Sequence, residues 1–198
     1  MHLIVGLGNP GRQYEATRHN AGFVALDALA ERNGIIIQKR RFISELGRGR
    51  VKNADVLMAK PQTFMNLSGR AVRQIVDFYK LAVDHLLVLH DDMDLALGRI
   101  KVAAKGGAGG HKGVASILEY LGEDAFPRIK IGVGRPGEGG DATGYVLGRF
   151  APEEIEILKL VLMRVAEAAE MIISRGSAEA QALYNRRDFR VNEEEVKI

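Results

Sequence analysis

Short apolar runs bounded by Gly, Asn or Pro alternate along this chain with longer stretches whose apolar residues recur every three or four positions. That alternation limits the fold more than any other feature. Runs at 3–6, 35–38, 43–51, 56–59, 86–90, 99–103 and 129–133 read as strands, several of them β-branched. Segments 21–32, 68–81, 113–121, 152–174 and 178–186 read as helices. In the fourth, Ile155, Leu158, Leu162, Val165, Ala169 and Ile172 form one apolar stripe, with Pro152 suited to the first turn and Gly176 to the end. Strands alternating with helices predict an α/β fold: one domain with a mixed, largely parallel central sheet flanked by helices. The consecutive runs between 35 and 59 suit an antiparallel hairpin or edge. No repeat, linker or shift in composition divides the chain, so residues 1–191 are expected to form the single domain and 192–198 a frayed tail. Ligands of open α/β sheets bind beyond the carboxyl ends of the strands, which directs attention to loops 6–20, 60–68, 90–98 and 104–113.

Composition removes several classes of function. The chain has no cysteine, so disulfide frameworks and thiolate metal sites are excluded. The N-terminus runs into Leu3-Ile4-Val5 without a basic region or a long apolar core, so no signal peptide is expected. The longest apolar stretch, 155–173, is broken by Lys159, Arg164, Glu167 and Glu170 and does not suit a membrane span; a cytoplasmic protein is expected. The net charge of +3 does not by itself announce a nucleic-acid binder. Its distribution is uneven: basic residues recur through the first two-thirds, while acidic ones gather between Glu153 and Glu170 and at Glu193–Glu195. Such a basic face suits either the steering of a polyanion or a mixed solvated surface.

Each of the four loops offers candidate chemistry. The first, 6–20, formally contains Gly-x-Gly-x-x-Gly after a strand, the mark of a dinucleotide site. Pro10 removes an N–H from the turn, and the helical pattern starts only at Ala21. Lys39-Arg40-Arg41 stand where an acidic residue is expected, which suits only a dinucleotide with a 2′-phosphate; on the balance of the loop no nicotinamide cofactor is expected. The loop reads better as a polar cleft wall, with the Asn9 amide and with His19, the side-chain type that takes a proton near neutral pH. His19 also suits a plain helix-entry or surface position. In the second loop, Asn66 beside Phe64 and Met65 suits either a turn or an amide that holds a substrate carbonyl next to an apolar group. The third, His90-Asp91-Asp92-Met93-Asp94, suits a divalent-metal hydrolase using His90, Asp92 and Asp94, or an aspartate that orients a catalytic imidazole. Alternation along a strand points His90 and Asp92 away from Asp91, which favours the orienting role. The fourth, 105–113, is not a Walker sequence, because Gly follows Lys112. Its glycines, the helix start behind them and Lys105 and Lys112 suit a phosphate or a flexible connector.

Taken together, segments 6–22 (GLGNPGRQYEATRHNAG), 60–72 (KPQTFMNLSGRAV), 90–102 (HDDMDLALGRIKV), 106–117 (GGAGGHKGVASI) and 129–137 (IKIGVGRPG) resemble the bacterial peptidyl-tRNA hydrolase family in order and spacing along essentially the whole chain. The resemblance implies a metal-free, cofactor-free monomer that cleaves the ester between a peptide and the terminal ribose of tRNA. It implies a catalytic His19 oriented by Asp91, with Asn9 and Asn66 positioning substrate and water and with Tyr14 and Met65 lining the site. For such a substrate, a tRNA grip through phosphates is expected from Lys105, Lys112 and Lys130, with Arg135 as a further candidate. One departure stands out: relatives often carry asparagine where this chain has Lys112, and a lysine donates but cannot accept a hydrogen bond. A site prepared for a neutral amide, with lysines nearby, is also expected to disfavour the ammonium of an unblocked aminoacyl ester. The rival within the same fold is a non-catalytic RNA-binding relative.

Overall fold

The computed structural model describes residues 1–186, so the expected boundary at 191 and the tail 192–198 lie outside the described residues. Seven strands form one sheet: β1 (His2–Gly6), β2 (Lys39–Arg41), β3 (Ser44–Val51), β4 (Ala54–Pro61), β5 (Leu86–Asp92), β6 (Ile100–Ala103) and β7 (Arg128–Gly132). Their order is β2-β3-β4-β1-β5-β7-β6. The four central strands β4, β1, β5 and β7 run parallel, and β2, β3 and β6 add antiparallel edges. The helices are α1 (Ala21–Arg32), α2 (Ser68–Tyr79), α3 (Lys112–Leu121), α4 (Ala142–Leu147), α5 (Pro152–Arg175) and α6 (Ser177–Tyr184).

The apolar runs of the central strands are continuous because both faces of the sheet are covered. Along β5, Leu86 and Val88 enter the core shared with α2 and α3, while Leu87 and Leu89 enter the core shared with α1 and α5. In β1, Leu3 and Val5 oppose Ile4 in the same way. Period-two alternation thus sorts one strand's side chains into two separate cores.

Two predicted elements differ from what forms. Residues 35–38 are not a strand; the ladder begins at Lys39, and Ile35 is buried while Ile36 is exposed. The cause is glycine on the neighbouring strand: a Cβ at Gly49 would lie 2.6 Å from Ile35 Cγ1, and one at Gly47 would lie 2.8 Å from the Ile36 carbonyl oxygen. The segment crosses that bare face instead of lying along the strand edge. The stripe predicted for α5 holds only in its second half. Val165, Ala169 and Ile172 are buried, Leu158 and Leu162 are half-buried, and Ile155 is exposed. The first turns of α5 are held by a polar clamp from the loop before α1, described below.

Candidate active site

The chain folds so that loops following β1, β4 and β5, together with the start of α3, meet at the carboxyl ends of the parallel strands. A close approach fixes the first of these. A Cβ on Gly22 would lie 2.3 Å from the Leu89 carbonyl oxygen and 2.6 Å from the Leu7 nitrogen. Only glycine lets α1 start against the β1 and β5 backbones. The 3-10 turn Arg18–Asn20 therefore hangs directly over the end of β5, with His19 facing Asp91.

His19 Nδ1 lies 3.0 Å from each carboxylate oxygen of Asp91. His111 Nε2 lies 2.9 Å from Asp91 Oδ1, so one carboxylate serves two imidazoles. The tautomer of His111 follows from its other nitrogen. Nδ1 caps α3 by accepting from the backbone nitrogens of Gly113 (3.1 Å) and Val114 (3.2 Å), so the ring proton sits on Nε2 and points at Asp91. His19 donates from Nδ1, which leaves its Nε2 lone pair facing the cavity.

Burial alone would push the Asp91 carboxyl up. Attraction from His111, and the hydrogen bonds donated by His111 and His19, overcome it and hold the group well below the usual carboxylate range. Asp91 is 3% exposed and stays ionised. Behind it, His90 is buried and donates from Nδ1 to the Asp91 carbonyl at 2.7 Å. Desolvation, then the neighbouring His111, lower its pKa to about 3, so His90 stays neutral.

Asn9 is held from two directions. Its backbone nitrogen donates to Asn20 Oδ1 at 2.8 Å, and its carbonyl accepts from Asn20 Nδ2 at 3.0 Å. Its side-chain oxygen accepts from the Met65 nitrogen at 2.8 Å, which turns the amide Nδ2 toward the cavity. A Cβ on Gly113 would lie 2.5 Å from Met65 Sδ, so glycine is what lets α3 close on this wall. The cavity so formed encloses about 860 Å³. Its floor is Asn9, His19, Asp91 and His111; its mouth includes Phe64, Asn66, Lys112, Arg135 and the α4 residues Thr143 and Leu147.

The expected site residues are thus mostly brought together. His19, Asp91, Asn9, Met65, Asn66, Lys112 and Arg135 all line the cavity. Met65 is buried rather than exposed; Phe64 is the exposed apolar group, at 58%. Tyr14 and Lys105 do not line it. Lys130 is paired with Asp92 at 2.7 Å, and Arg135 with Asp94 through Nε at 2.8 Å. The α3 start does not offer the free amides of a phosphate cradle, because His111 occupies those of Gly113 and Val114. The signals for His111 and Asn20 were present but indirect: an imidazole just before a helix, and an amide beside a candidate base. The helix α4 lacks a periodic pattern; its one signal is Asp141, which caps Thr143 and Gly144, each at 2.9 Å.

A metal hydrolase through His90, Asp92 and Asp94 does not match this arrangement, since each of the three has another partner. The ligand atoms of His19, Asp91 and His111 do lie within 4.8 Å of one another. To bind a cation, His111 would have to move its proton to Nδ1 and orphan two helix amides, so the donor set suits hydrogen bonding better. A last feature ties the site to α5. Arg18, next to His19, is buried, donates to the Arg149 carbonyl and to Glu154 Oε2 (2.6 Å), and lies 4.5 Å from the centre of the Tyr145 ring. This is the clamp on the first turns of α5.

The chain is similar to known proteins along nearly its whole length. The family model described as peptidyl-tRNA hydrolase matches residues 3–193. A peptidyl-tRNA hydrolase of Carboxydothermus hydrogenoformans is 50% identical over 94% of this chain and 99% of its own length. One from Clostridium novyi is 45% identical over 93% and 98%. The crystal structure of peptidyl-tRNA hydrolase from Acinetobacter baumannii superposes with a TM-score of 0.88 at 35% identity, covering 93% of this chain and 94% of that one. No helix among the described residues is long and apolar enough to cross a membrane. By sequence along nearly its whole length and by fold, the chain belongs to the peptidyl-tRNA hydrolase family.

Proposed function

We propose that this protein hydrolyses the ester joining the carboxyl carbon of a peptide, or of an N-blocked amino acid, to the terminal ribose of tRNA. The observation that carries this reading is His19, fixed by Asp91 through Nδ1 and presenting Nε2 to the cavity beside the Asn9 amide. His19 Nε2 takes a proton from water as the oxygen attacks the ester carbon. Asp91 stabilises the imidazolium that forms, and Asn9 Nδ2 donates to the tetrahedral oxyanion. Breaking the carbon–oxygen bond to ribose then transfers the His19 proton to the leaving oxygen, releasing a free carboxylic acid and a tRNA 3′-terminal hydroxyl.

The magnitudes are adequate for an ester. A positioned general base contributes about 10²–10⁴-fold. One oxyanion donor contributes on the order of 3 kcal/mol. The lone-pair direction of His19 is set before substrate arrives, which suits a base that must act on water without a nucleophilic side chain. Lys112, Asn66 and the exposed Phe64 supply contacts for the peptide at the mouth, while the tRNA body is gripped through phosphates by exposed basic residues, Lys105 among them.

Release of N-acetyl-aminoacyl groups from tRNA, measured with EDTA present, tests the reading. The intact protein is expected to cleave, and His19→Ala to lose at least about a hundredfold in kcat while still binding tRNA. Activity abolished by EDTA and restored by a divalent metal would point to a metal hydrolase instead. Salt-dependent tRNA binding with no cleavage by either protein would point to the non-catalytic relative.

A further inference from the structure

The charges lining the cavity balance in an uneven way. Asp92 is neutralised by Lys130 and Asp94 by Arg135. Asp91 faces two imidazoles rather than a lysine or arginine, and His111 Nδ1 is occupied by the helix amides it accepts from. Asp91 is therefore the one acid lining the cavity with no permanent cation beside it. In the resting enzyme it would draw any cation that enters, including the protonated α-amine of an aminoacyl ester. Such an amine lies one carbon from the reacting carbonyl and would be carried to the floor with it.

Lys112 is the counterweight. It is the first residue of α3, immediately after His111; it is exposed, lines the cavity and has no ion-pair partner among the described residues. The other basic side chain lining the cavity, Arg135, is paired with Asp94. The Lys112 ammonium can only donate hydrogen bonds. An N-acylated substrate offers it a carbonyl oxygen on the blocked nitrogen, while a free aminoacyl ester offers it a second cation.

We propose that Lys112 is the residue by which this chain separates N-acylated aminoacyl esters from free ones: its ammonium donates to the acyl carbonyl oxygen and repels a protonated α-amine. Attraction for one substrate and repulsion of the other act at a single position, which gives more discrimination than either alone. The inference rests on the hydrolase reading above and assigns its substrate choice.

The test uses the intact chain, Lys112→Gln and Lys112→Glu, with the same tRNA carrying the same amino acid, N-acetylated or free. The quantity read is the ratio of kcat/KM for the blocked over the free ester, corrected for spontaneous hydrolysis. It is measured below and above the titration of an α-amine, near 7.7–8.0. Both substrates use the same catalytic groups, so effects common to the two cancel in the ratio. Gln keeps an N–H donor and removes only the charge. At the lower pH the ratio is expected to fall on the order of tenfold in Lys112→Gln, and further in Lys112→Glu. The intact protein's ratio is expected to drop as pH rises and the amine loses its proton, while that of Lys112→Gln changes less. Equal ratios in all three proteins would overturn the assignment while leaving the hydrolase reading intact. Failure of the intact protein to cleave the blocked ester would overturn both.

Discussion

The floor and the mouth of the cavity are built differently. On the floor and just behind it, Asn9, Asn20, Asp91 and His111 are buried, and apart from the Asn9 Nδ2 that faces the cavity their polar atoms are committed to one another, to His19 or to the backbone. At the mouth, Phe64, Asn66 and Lys112 are exposed, and neither Asn66 nor Lys112 has a side-chain partner among the described residues. The floor has the form of a pre-organised reaction centre, in which donors and acceptors need not rearrange as charge develops. The mouth has the form of an adaptable surface, suited to peptides that share a backbone but not a sequence. The contrast predicts that floor substitutions change kcat and stability, and that mouth substitutions change KM or substrate choice.

Asp91→Asn is the most severe way to sharpen it. The amide cannot accept from both imidazoles with the same strength, and the His19 tautomer is no longer fixed. A fall in kcat of about 10³–10⁴-fold is expected in steady-state assays. His111→Asn separates two roles of one side chain. Asparagine caps helices well, so α3 should be retained, yet Asp91 loses a charge-assisted bond worth about 1.5–3 kcal/mol. About a 10- to 100-fold loss in kcat is expected, with a fall in urea midpoint that reflects the missing bond to Asp91. His111→Ala should add a stability loss of about 1 kcal/mol through the missing cap.

Asn20→Ala removes both bonds to the Asn9 backbone and should destabilise the fold by about 1–3 kcal/mol in denaturant titrations. His90 tests the floor through pH. An ordinary imidazole takes its proton near 6.5, but buried His90 does so only at about 3. Between those values the unfolded chain binds the extra proton, so stability rises with pH, by at most about 1.4 kcal/mol per unit from this group. His90→Phe should flatten that slope. Asp91 acts in a separate window: its folded pKa is depressed, so its contribution is lost only as pH falls below the ordinary carboxylate range. At the mouth, Phe64→Ala should leave stability within about 0.5 kcal/mol while raising KM. A large stability loss there, or a pure KM effect for Asn20→Ala, would break the contrast.

The same division explains what the sequence revealed. His19, Asp91 and Asn9 were legible because their residue types announce chemistry and their loops follow strands. His111 and Asn20 were not, because their work lies in partners distant in sequence: His111 meets Asp91 across 20 positions, and Asn20 reaches back 11 to Asn9. The parallel core was legible from continuous runs such as Leu86–Leu89, buried on both faces. The misread segment 35–38 has the composition of a strand, but its course is set by the space over Gly47 and Gly49, which no local pattern reports. Likewise, Ile155 sits in register with the α5 stripe, yet that end of the helix is held by Arg18 and Glu154 rather than by the sheet.

The most direct test of the pre-organised floor is the tautomeric state of its two facing imidazoles, read by nitrogen-15 NMR on the ligand-free protein above the pH at which both rings are neutral. The hydrogen bonds predict opposite tautomers: His19 protonated at Nδ1, with Nε2 bare toward the cavity, and His111 protonated at Nε2, with Nδ1 bare toward the helix amides. A His19 ring protonated at Nε2 would leave no lone pair for the attacking water and would contradict the mechanism at its first step.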